Sequence, residues 1–340
     1  MQQKNNNLKT LIIAEAGVNH NGDIKIAKEL IRQAAIAGAD IVKFQTFKAD
    51  KLLTANAPKA DYQIDLDEKD ITSYQMLENL ELSKEDHLIL IEESQKNNIE
   101  FFSTAFDEIS LSFLIGLGMS RIKIPSGEIT NKPLLTFISQ FDMPVIMSTG
   151  MADLSEIESA INVLTSNKLT KSNISILHCT SQYPANFHDI NLQAIRSMKD
   201  QFGLNVGYSD HTLGSEASIV AVALGATIIE KHITLDSTMA GPDHKASMEP
   251  EDFKAMVIAI RNIEKGLGDG IKKPTDSELE MRSVARKSLV ANQSIQKGDI
   301  FTSENLAVKR PGNGISPMKI DEILGTKSEH SFETNDLIKV

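Results

Sequence analysis

Residues 205–234 read NVGYSDHTLGSEASIVAVALGATIIEKHIT, and this one stretch holds a complete strand, helix and strand unit. The strand-like run NVGY is followed by segment 217–224, in which apolar residues recur at helical spacing. The segment LGAT at 224–227 then places a glycine where a helix would end. The apolar run TIIE begins at its last residue, 227. Alternation of this kind is typical of parallel sheets whose strands are connected by helices.

The same unit recurs between residues 11 and 264, where strand-like runs alternate with helical segments. Eight repeats over about 250 residues predict an α/β fold of the TIM (β/α)8 barrel type. An open doubly wound sheet would more often show about five to seven strands and a glycine-rich first turn. The eight runs are LIIA at 11, IVKF at 41, EFFS at 100, RIKI at 121, VIMS at 145, ISIL at 174, NVGY at 205 and TIIE at 227.

The helical periodicity ends at KGLGDGIKKPTDSE, residues 265–278, a Gly-, Lys- and Pro-rich segment that indicates a linker. We therefore predict a barrel domain at 1–268, a linker at 269–280 and a small second domain at 281–340. A module of that size buries a limited fraction of its surface, so we expect it to pack on another chain. The long connection at 49–83 follows the second strand and is expected to help cover a site.

Composition excludes several classes of function. The chain has 35 Lys and Arg against 46 Asp and Glu, and its formal charge of −11 disfavours binding to nucleic acid or anionic membranes. It has no Trp and four Tyr, so it lacks aromatic platforms for stacking single-stranded bases. The lone Cys179 excludes an internal disulfide framework. Because a signal-peptide pattern and a membrane-spanning apolar run are also absent from the sequence, we expect a cytoplasmic protein.

Polar side chains stand at the end of every predicted strand. Since catalytic side chains of TIM barrels lie at the C-terminal ends of the strands, this crowding predicts an active site at one mouth of the barrel. The alternative interpretation is that these polar residues form a solvated rim of the barrel and have no catalytic role. The polar ends are Glu15, Lys43 with Gln45, Ser103 with Thr104, Lys123 with Ser126 and Glu128, Ser148 with Thr149, His178 with Thr180, Ser209 with His211, and Glu230 with His232.

His211 and His232 each follow an apolar strand, and strands seven and eight are neighbours in a barrel. Two imidazoles with water and an oxygen ligand suit a divalent ion such as Mn²⁺, or Zn²⁺ or Fe²⁺. The alternative is a pair of structural histidines hydrogen-bonded to the backbone. Cys179 is expected to be a small buried hydrophobe and not a nucleophile.

Lys43 and Lys123 lie at strand ends between apolar residues. A lysine at such a position either anchors a phosphate or carboxylate or forms a Schiff base, and the sequence leaves both roles open. A third interpretation is that the two lysines form structural salt bridges with nearby carboxylates. Candidate neighbours are Thr104 and Ser126 as anion donors, with Glu15, Glu128 and Asp243 as carboxylates for hydroxyl recognition or proton transfer.

Nine short motifs occur in a specific order over nearly the whole chain. They are AEAGVNHNG at 14–22, VKFQT at 42–46, KIPSGE at 123–128, STGM at 148–151, LHCTSQYP at 177–184, GYSDHT at 207–212, EKHIT at 230–234, GPDH at 241–244 and KRPGNGIS at 309–316. With these motifs the chain resembles the bacterial sialic acid (nonulosonic acid) synthases. That family condenses phosphoenolpyruvate with an N-acetylated mannosamine-type sugar.

The resemblance implies a TIM barrel followed by a small antifreeze-like (SAF) domain, which is swapped across a homodimer so that Arg310 reaches the sugar site of the other chain. It implies that His211 and His232 bind Mn²⁺, and that Glu128 lies between the substrates as the acid or base. Ser181 stands where many members have an asparagine that contacts the phosphate. By the same resemblance, Lys43, Lys123, Thr104, Ser126 and Ser209 would hold phosphoenolpyruvate, and Glu15, Gln45, Tyr183, Asp243 and Arg310 would face the sugar.

From this resemblance we expect an N-acetylneuraminate synthase that uses N-acetylmannosamine and releases phosphate. The first alternative is an N,N'-diacetyllegionaminate synthase acting on 2,4-diacetamido-2,4,6-trideoxymannose, followed by a pseudaminate synthase and a pyruvate aldolase with a Schiff-base lysine. From a different class comes a non-catalytic carbohydrate- or ice-binding protein built around the C-terminal module. The absence of Trp, the basic KRPGNG loop and the complete set of polar strand ends argue against that class.

Overall fold

The computed structural model describes residues 9–54, 57 and 72–340. Its contacts divide the chain into two compact units, with the boundary between Asp269 and Gly270. This boundary falls at the beginning of the segment predicted as a linker. Among the described residues, no helix combines the length and the apolar character that crossing a bilayer requires.

The first unit is built on eight parallel strands, and all eight predicted strands are present. Strands β1 to β3 and β4 to β8 each pair with the next strand in the chain, and β1 pairs with β8. Strands β3 and β4 lie side by side without a ladder among the described residues. The TIM barrel prediction is therefore confirmed. The strands are β1 Leu11–Gly17, β2 Ile41–Thr46, β3 Glu100–Ala105, β4 Ile122–Ile124, β5 Val145–Ser148, β6 Ile174–Cys179, β7 Asn205–Asp210 and β8 Ile228–His232.

Helices connect the strands and cover the outside of the barrel. The first of them shows why they form: its apolar positions face the sheet, Asp23 caps its N-terminus, and Gly38 ends it at a φ of 86°, which favours glycine. The connection at 49–83 is partly helical, and its residues 55, 56 and 58–71 lie outside the described residues. The helices are α1 Ile24–Ala37, α2 Ala49–Leu52, α3 Ser73–Asn79, α4 Lys84–Lys96, α5 Glu108–Gly116, α6 Lys132–Ile138, α7 Leu154–Leu164, α8 Ala194–Phe202, α9 Glu216–Ala223 and α10 Pro250–Gly266, and short 3-10 turns occur at Ser126–Glu128, Lys171–Asn173 and His244–Ala246.

The alternation of side chains along each strand separates two cores. In β1, Ile12 and Ala14 point outward and pack under the helices, whereas Ile13 points into the barrel. Burying a side chain of this size contributes about 1.5–3 kcal/mol. The inward layer near the start of the strands is apolar and consists of Ile13, Ile41, Phe102, Ile146, Leu177 and Ile228. Many of the inward positions two and four residues later carry polar side chains, so a largely polar mouth lies above this apolar floor.

Arg261 links helix α10 to the N-terminal ends of the barrel strands, at the end of the barrel opposite the polar mouth. Its guanidinium donates to the Thr10 carbonyl oxygen at 2.8 Å, to Asp40 Oδ2 at 2.8 Å and to Glu264 Oε1 at 2.9 Å. Asp40 Oδ2 also accepts from the Ile12 amide at 2.9 Å. The cluster therefore joins the last helix of the barrel to the first two strands.

Replacing Arg261 with alanine is expected to lower the free energy of unfolding by about 2–3 kcal/mol, because partly buried, charge-assisted hydrogen bonds are lost together. Turnover at low temperature is expected to stay at the wild-type level, since the N-terminal face of such barrels contributes stability and not chemistry. Urea denaturation measures the effect. The exposed Arg196 of helix α8 offers a matched arginine-to-alanine control, for which little change is expected. A loss of activity in the folded Arg261 variant would contradict this assignment.

The second unit has a short helix, a two-stranded antiparallel sheet and its own apolar core. Helix α11 begins at Asp276, where Thr275 caps it, so the last part of the segment predicted as a linker is helical. The core centres on Leu289, Phe301 and Phe332. The elements are α11 Asp276–Ala285, β9 Ser288–Ala291, β10 Leu306–Lys309, a 3-10 turn Pro317–Lys319 and α12 Ile320–Ile323.

Candidate active site

A cavity of about 300 Å³ opens at the C-terminal ends of the barrel strands. The inward positions of the strands supply most of its polar lining, and the loops after them supply the rest. Twelve of the fourteen residues predicted for the site line this cavity. They are Glu15, Lys43, Gln45, Thr104, Lys123, Ser126, Ser181, Tyr183, Ser209, His211, His232 and Asp243.

A buried ionic group forms the bottom of the cavity. Lys123 Nζ lies 3.2 Å from Glu230 Oε1, and Lys43 Nζ lies 3.7 Å from the same oxygen. On its other side Lys43 lies 2.7 Å from Glu15 Oε2 and donates to Thr104 Oγ1 at 3.1 Å. Two lysines and two glutamates thus alternate here, with all four side chains removed from solvent.

The pKa values in this group follow from burial and charge. Burial disfavours the charged carboxylate of Glu230, but the two ammonium groups beside it outweigh burial and lower its pKa to about 2. Burial also acts against the charge of Lys43, and the carboxylates of Glu15 and Glu230 raise its pKa above the usual value. For Lys123, burial prevails and lowers the pKa. The Glu230 carboxylate thus lies between the two lysines at the bottom of the cavity, and its charged form is favoured.

A second polar group surrounds the turn at Gly17, which has a φ of 53°. A Cβ added there would lie 3.4 Å from Gln45 Nε2 and 3.5 Å from both Glu15 Oε1 and Asp243 Oδ2. Gln45 Nε2 donates to Glu15 Oε1 at 3.1 Å. Burial and the charge of Glu15 raise the pKa of Asp243 to about 6, and burial also raises the pKa of Glu15. These groups can accept from or donate to a ligand rich in hydroxyls and amides.

The two predicted metal ligands lie together beside Tyr183. Their ring centroids are 5.6 Å apart, and the Tyr183 ring lies 4.1 Å from that of His211. His211 Nδ1 lies 2.7 Å from the Thr180 carbonyl oxygen. In the neutral tautomer that donates from Nδ1 to this oxygen, Nε2 has the open lone pair. His232 Nδ1 is buried, has no hydrogen-bond partner in the part of the chain described and lies 3.8 Å from Asp243 Oδ2.

These imidazoles fit a divalent ion as nitrogen donors. Burial and the positive charges nearby lower the pKa of His232 well below its usual value, so its ring is neutral, as a metal ligand must be. Within residues 9–54, 57 and 72–340, no group of three or more His, Cys, Asp or Glu side chains is arranged to hold a metal ion.

The hydroxyls of Ser126 and Ser181 meet over Gly150. The Gly150 amide donates to Ser126 Oγ at 2.9 Å, and a Cβ on Gly150 would overlap the Ser181 hydroxyl. Cys179 is buried, lines the cavity, and its Sγ lies 3.8 Å from Ser126 Oγ. Glycine is needed at 150 because the two serines approach the backbone so closely.

Two predicted site residues do not line the cavity. Glu128 belongs to the 3-10 turn after β4, and its carboxylate accepts from Asn131 Nδ2 at 2.6 Å. Ser126, two residues earlier, does line the cavity. Arg310 belongs to the second unit, where it follows β10 and is exposed.

Sequence reasoning missed other residues that line the cavity. Glu230 is a polar strand end outside the predicted site set, and its spacing of two from His232 is the signal that places both on the inward face of β8. Ser148 is also outside that set, and it accepts from Lys123 Nζ at 2.6 Å. Apolar lining residues carried no chemical signal in the sequence. The missed apolar residues are Val18, Met76, Leu77, Phe106, Pro125, Met151 and Pro242.

Hydrogen bonds between the β1 and β8 loops hold Asp243 in place. Asn19 Nδ2 donates to Ser247 Oγ at 2.8 Å, and Ser247 Oγ donates to the Asp243 carbonyl oxygen at 2.6 Å. His244 Nε2 lies 3.1 Å from Asn21 Oδ1. The NHNG motif at 19–22 therefore acts as a support for the loop that carries Asp243.

Comparison with known proteins agrees with the motifs. Residues 30–272 match the model of the NeuB family, and residues 286–339 match the SAF domain. An N,N'-diacetyllegionaminic acid synthase from Campylobacter jejuni is 52% identical over 97% of this chain and 99% of its own. One from Legionella pneumophila is 48% identical over 96% of this chain and 92% of its own.

A solved structure has the same fold. The N-acetylneuraminic acid (sialic acid) synthetase from Leptospira borgpetersenii, in complex with citrate, superimposes with a TM-score of 0.72 at 38% identity. The match covers 83% of this chain and 94% of the other. The chain therefore belongs to the NeuB family, with a C-terminal SAF domain, and is an enzyme of the nonulosonic acid synthase class.

Proposed function

We propose that the protein is an N,N'-diacetyllegionaminic acid synthase that condenses phosphoenolpyruvate with 2,4-diacetamido-2,4,6-trideoxymannose and releases phosphate. Two relatives with that name are 52% and 48% identical to this chain, whereas the sialic acid synthetase structure is 38% identical. The expectation of N-acetylmannosamine as the sugar therefore gives way to the diacetamido sugar.

The observation that carries the proposal is the pair of buried lysines at the bottom of the open cavity. Lys43 and Lys123 flank Glu230 and point their ammonium groups to one place. Phosphoenolpyruvate has a phosphate and a carboxylate, and each matches a positive point charge. Hydroxyls of Thr104, Ser126, Ser181 and Ser209 lie around the same cavity as further donors. The acidic chain can thus bind a small anion through a local field that its overall charge of −11 does not reveal.

We further propose that His211 and His232 hold a divalent metal ion, with Mn²⁺ the first candidate. When bound, such an ion supplies Lewis acidity to an aldehyde oxygen. Tyr183, which packs against both imidazoles, fixes the orientation of the two rings. The Thr180 carbonyl oxygen fixes the tautomer of His211.

The proposed reaction balances without an external oxidant or reductant. Phosphoenolpyruvate C3 forms a bond with C1 of the open-chain sugar, and positive charge develops at C2. Water adds at C2, and the C2–O bond to phosphate then breaks. The products are a nine-carbon 2-keto acid and inorganic phosphate. Lys43 and Lys123 hold the two anionic groups of phosphoenolpyruvate while phosphate leaves, and closely placed donors of this kind are worth about 2.7–4 kcal/mol each.

Glu15 is the better candidate for proton transfer. Its carboxyl lines the cavity and burial raises its pKa, which is the usual tuning of a carboxyl acid or base. Glu128, for which the resemblance implied this role, points its carboxylate to Asn131. We therefore assign proton transfer at the sugar to Glu15, and we propose that Glu128 supports the turn that carries Ser126.

We also propose a homodimer in which Arg310 of one chain reaches the sugar site of the other. The exposure of Arg310 and its basic KRPGNG surroundings support this proposal. Light scattering is expected to report a mass of two chains. Mixing an Arg310→Ala variant with a second inactive variant should restore part of the activity if the site is shared. A fully active monomer would contradict the swap.

A phosphate-release assay tests the function directly. The enzyme is supplied with phosphoenolpyruvate and one of three sugars: 2,4-diacetamido-2,4,6-trideoxymannose, its altrose analogue or N-acetylmannosamine, each with and without Mn²⁺. We expect the highest kcat/KM with the first sugar. A clear preference for N-acetylmannosamine or the altrose analogue would replace the proposal with a sialic or pseudaminic acid synthase.

Borohydride reduction separates the synthase from an aldolase. The alternative mechanism uses Lys43 or Lys123 as a Schiff-base nucleophile toward pyruvate. Both lysines are engaged with carboxylates in the cavity, so we expect no adduct. A reduced pyruvate adduct on either lysine, together with turnover in the absence of metal, would establish the aldolase instead.

Replacing His244 with alanine is expected to raise KM for the sugar about tenfold and to leave KM for phosphoenolpyruvate within about twofold. The loop that carries Asp243 loses the contacts of His244 with Asn21 and Thr234, each worth about 1 kcal/mol. The measurement is steady-state kinetics with each substrate varied in turn. A His244→Gln variant, which keeps a hydrogen-bonding group, should recover part of the affinity. Equal losses for both substrates would contradict a role in placing Asp243.

A further inference from the structure

Among the described residues, four apolar side chains that line the cavity also belong to one hydrophobic cluster. They are Val18, Met76, Leu77 and Phe106, which we call the apolar wall. Val18 belongs to the β1 loop, Phe106 follows β3, and the other two come from helix α3. Nothing in the proposed chemistry of the anion or the metal uses these residues, although they lie in the same cavity.

The apolar wall packs against further apolar side chains behind it. Its residues pack on Phe47 and Leu80 in one buried cluster, and the Phe47 and Phe106 rings meet edge to face with centroids 6.0 Å apart. Helix α3 begins with a capping box, in which Thr72 Oγ1 accepts from the Gln75 amide and the Gln75 side chain accepts from the Thr72 amide. A wall that cannot rearrange easily discriminates between ligands by shape and polarity.

The position of the wall shows which part of a ligand it meets. Val18 directly follows Gly17, around which Glu15, Gln45 and Asp243 converge. The wall is thus continuous with the polar groups that we assign to the sugar. A sugar held there by its hydroxyls and amides would extend its remaining substituents along Val18, Met76 and Leu77.

We propose that the apolar wall selects for a deoxygenated sugar by receiving the methyl group at C6. This inference rests on the proposed function. A hydroxymethyl group in the same place would be buried against carbon atoms without a hydrogen-bond partner from the wall, which costs free energy. Apolar pockets of this kind lower kcat/KM for a substrate with an added hydroxyl by roughly a hundredfold at most. A substrate that lacks a methylene loses about 10–200-fold in kcat/KM. We therefore expect a preference of about 10- to 100-fold for the 6-deoxy sugar.

Two sugars that differ only at C6 test the inference. They are 2,4-diacetamido-2,4,6-trideoxymannose and 2,4-diacetamido-2,4-dideoxymannose, and the measured quantity is the ratio of their kcat/KM values. Leu77→Gln is the main variant because Leu77 is only partly buried and therefore tolerates a polar side chain without unfolding. It is expected to lower the ratio about tenfold through KM for the sugar, with KM for phosphoenolpyruvate unchanged. Phe106→Tyr, which adds one hydroxyl to the wall, is expected to lower the ratio in the same direction.

Leu80→Ala is the packing control, because Leu80 is buried in the same cluster but does not line the cavity. It is expected to lower thermal stability and to change the ratio much less than Leu77→Gln does, because the wall keeps its apolar side chains. Three results would overturn the inference. The first is a wild-type ratio near one, and the second is an unchanged ratio in both wall variants. The third is a shift of the ratio in Leu80→Ala that equals the shift in Leu77→Gln. If the proposed function itself were wrong, the wild-type enzyme would turn over neither diacetamido sugar. That result is distinguishable from a failure of this inference.

Discussion

Replacing Lys123 with methionine is expected to lower kcat/KM for phosphoenolpyruvate by at least about a thousandfold. The side chain contributes one of two positive charges to the anion site, and removal of a single preorganised donor already costs about 10²–10³ in rate. Its Nζ lies 2.6 Å from Ser148 Oγ and 3.2 Å from Glu230 Oε1, so its position is fixed before a ligand binds. Phosphate release under saturating sugar measures the loss.

The same substitution has a second effect that must be separated from the first. It leaves Glu230 with one lysine, and an uncompensated buried charge typically costs about 3–5 kcal/mol of stability. The double variant Lys123→Met with Glu230→Gln removes one charge of each sign and should regain most of that stability, as read by urea denaturation. Its activity should stay low. If stability and activity returned together, the single variant would have failed through folding, and the anchoring role would be contradicted.

Replacing His211 with alanine is expected to abolish turnover while the protein stays folded. The variant loses a nitrogen donor for the proposed divalent ion, whose Lewis acidity is worth several kcal/mol, or at least about a thousandfold in rate. Bound metal, measured by elemental analysis of the dialysed protein, should fall with activity. Circular dichroism should match the wild type, because only one ring packed on Tyr183 is removed.

His188 provides the matched control for that experiment. It lies on the loop after β6, is exposed and does not line the cavity, so its alanine variant should keep wild-type activity and metal content. Exhaustive chelation of the wild-type enzyme should reproduce the His211→Ala phenotype, and added Mn²⁺ should reverse it. Full activity in the chelated enzyme would rule out the metal role.

The barrel could be predicted because its signals are local. Apolar runs, helical periodicity and glycines such as Gly38 at helix ends each depend on a few neighbouring residues, and eight repetitions leave little ambiguity about the fold. The alternation along β8 also identifies His232 as an inward residue, two positions beyond Glu230. Most of the candidate site follows from these two patterns together.

The direction of side chains in loops could not be predicted in the same way. Ser126 and Glu128 are two residues apart, yet only Ser126 lines the cavity, because the backbone between them forms a 3-10 turn and not a strand. The period of two that applies in a strand does not hold there. The resemblance therefore implied a role for Glu128 that its contact with Asn131 does not support.

By itself, the sequence determined that the protein is an eight-stranded barrel with polar residues at one mouth and a small second module. Only the tertiary structure decided which of those residues meet. Pairing of β1 with β2 and β8 places Glu15 level with Lys43 on one side and His232 on the other. Strand register and closure of the sheet also bring Glu230 to Lys123, which is 107 positions away in the chain. Local patterns set which face a side chain takes, whereas distances between remote side chains depend on how all the strands pair.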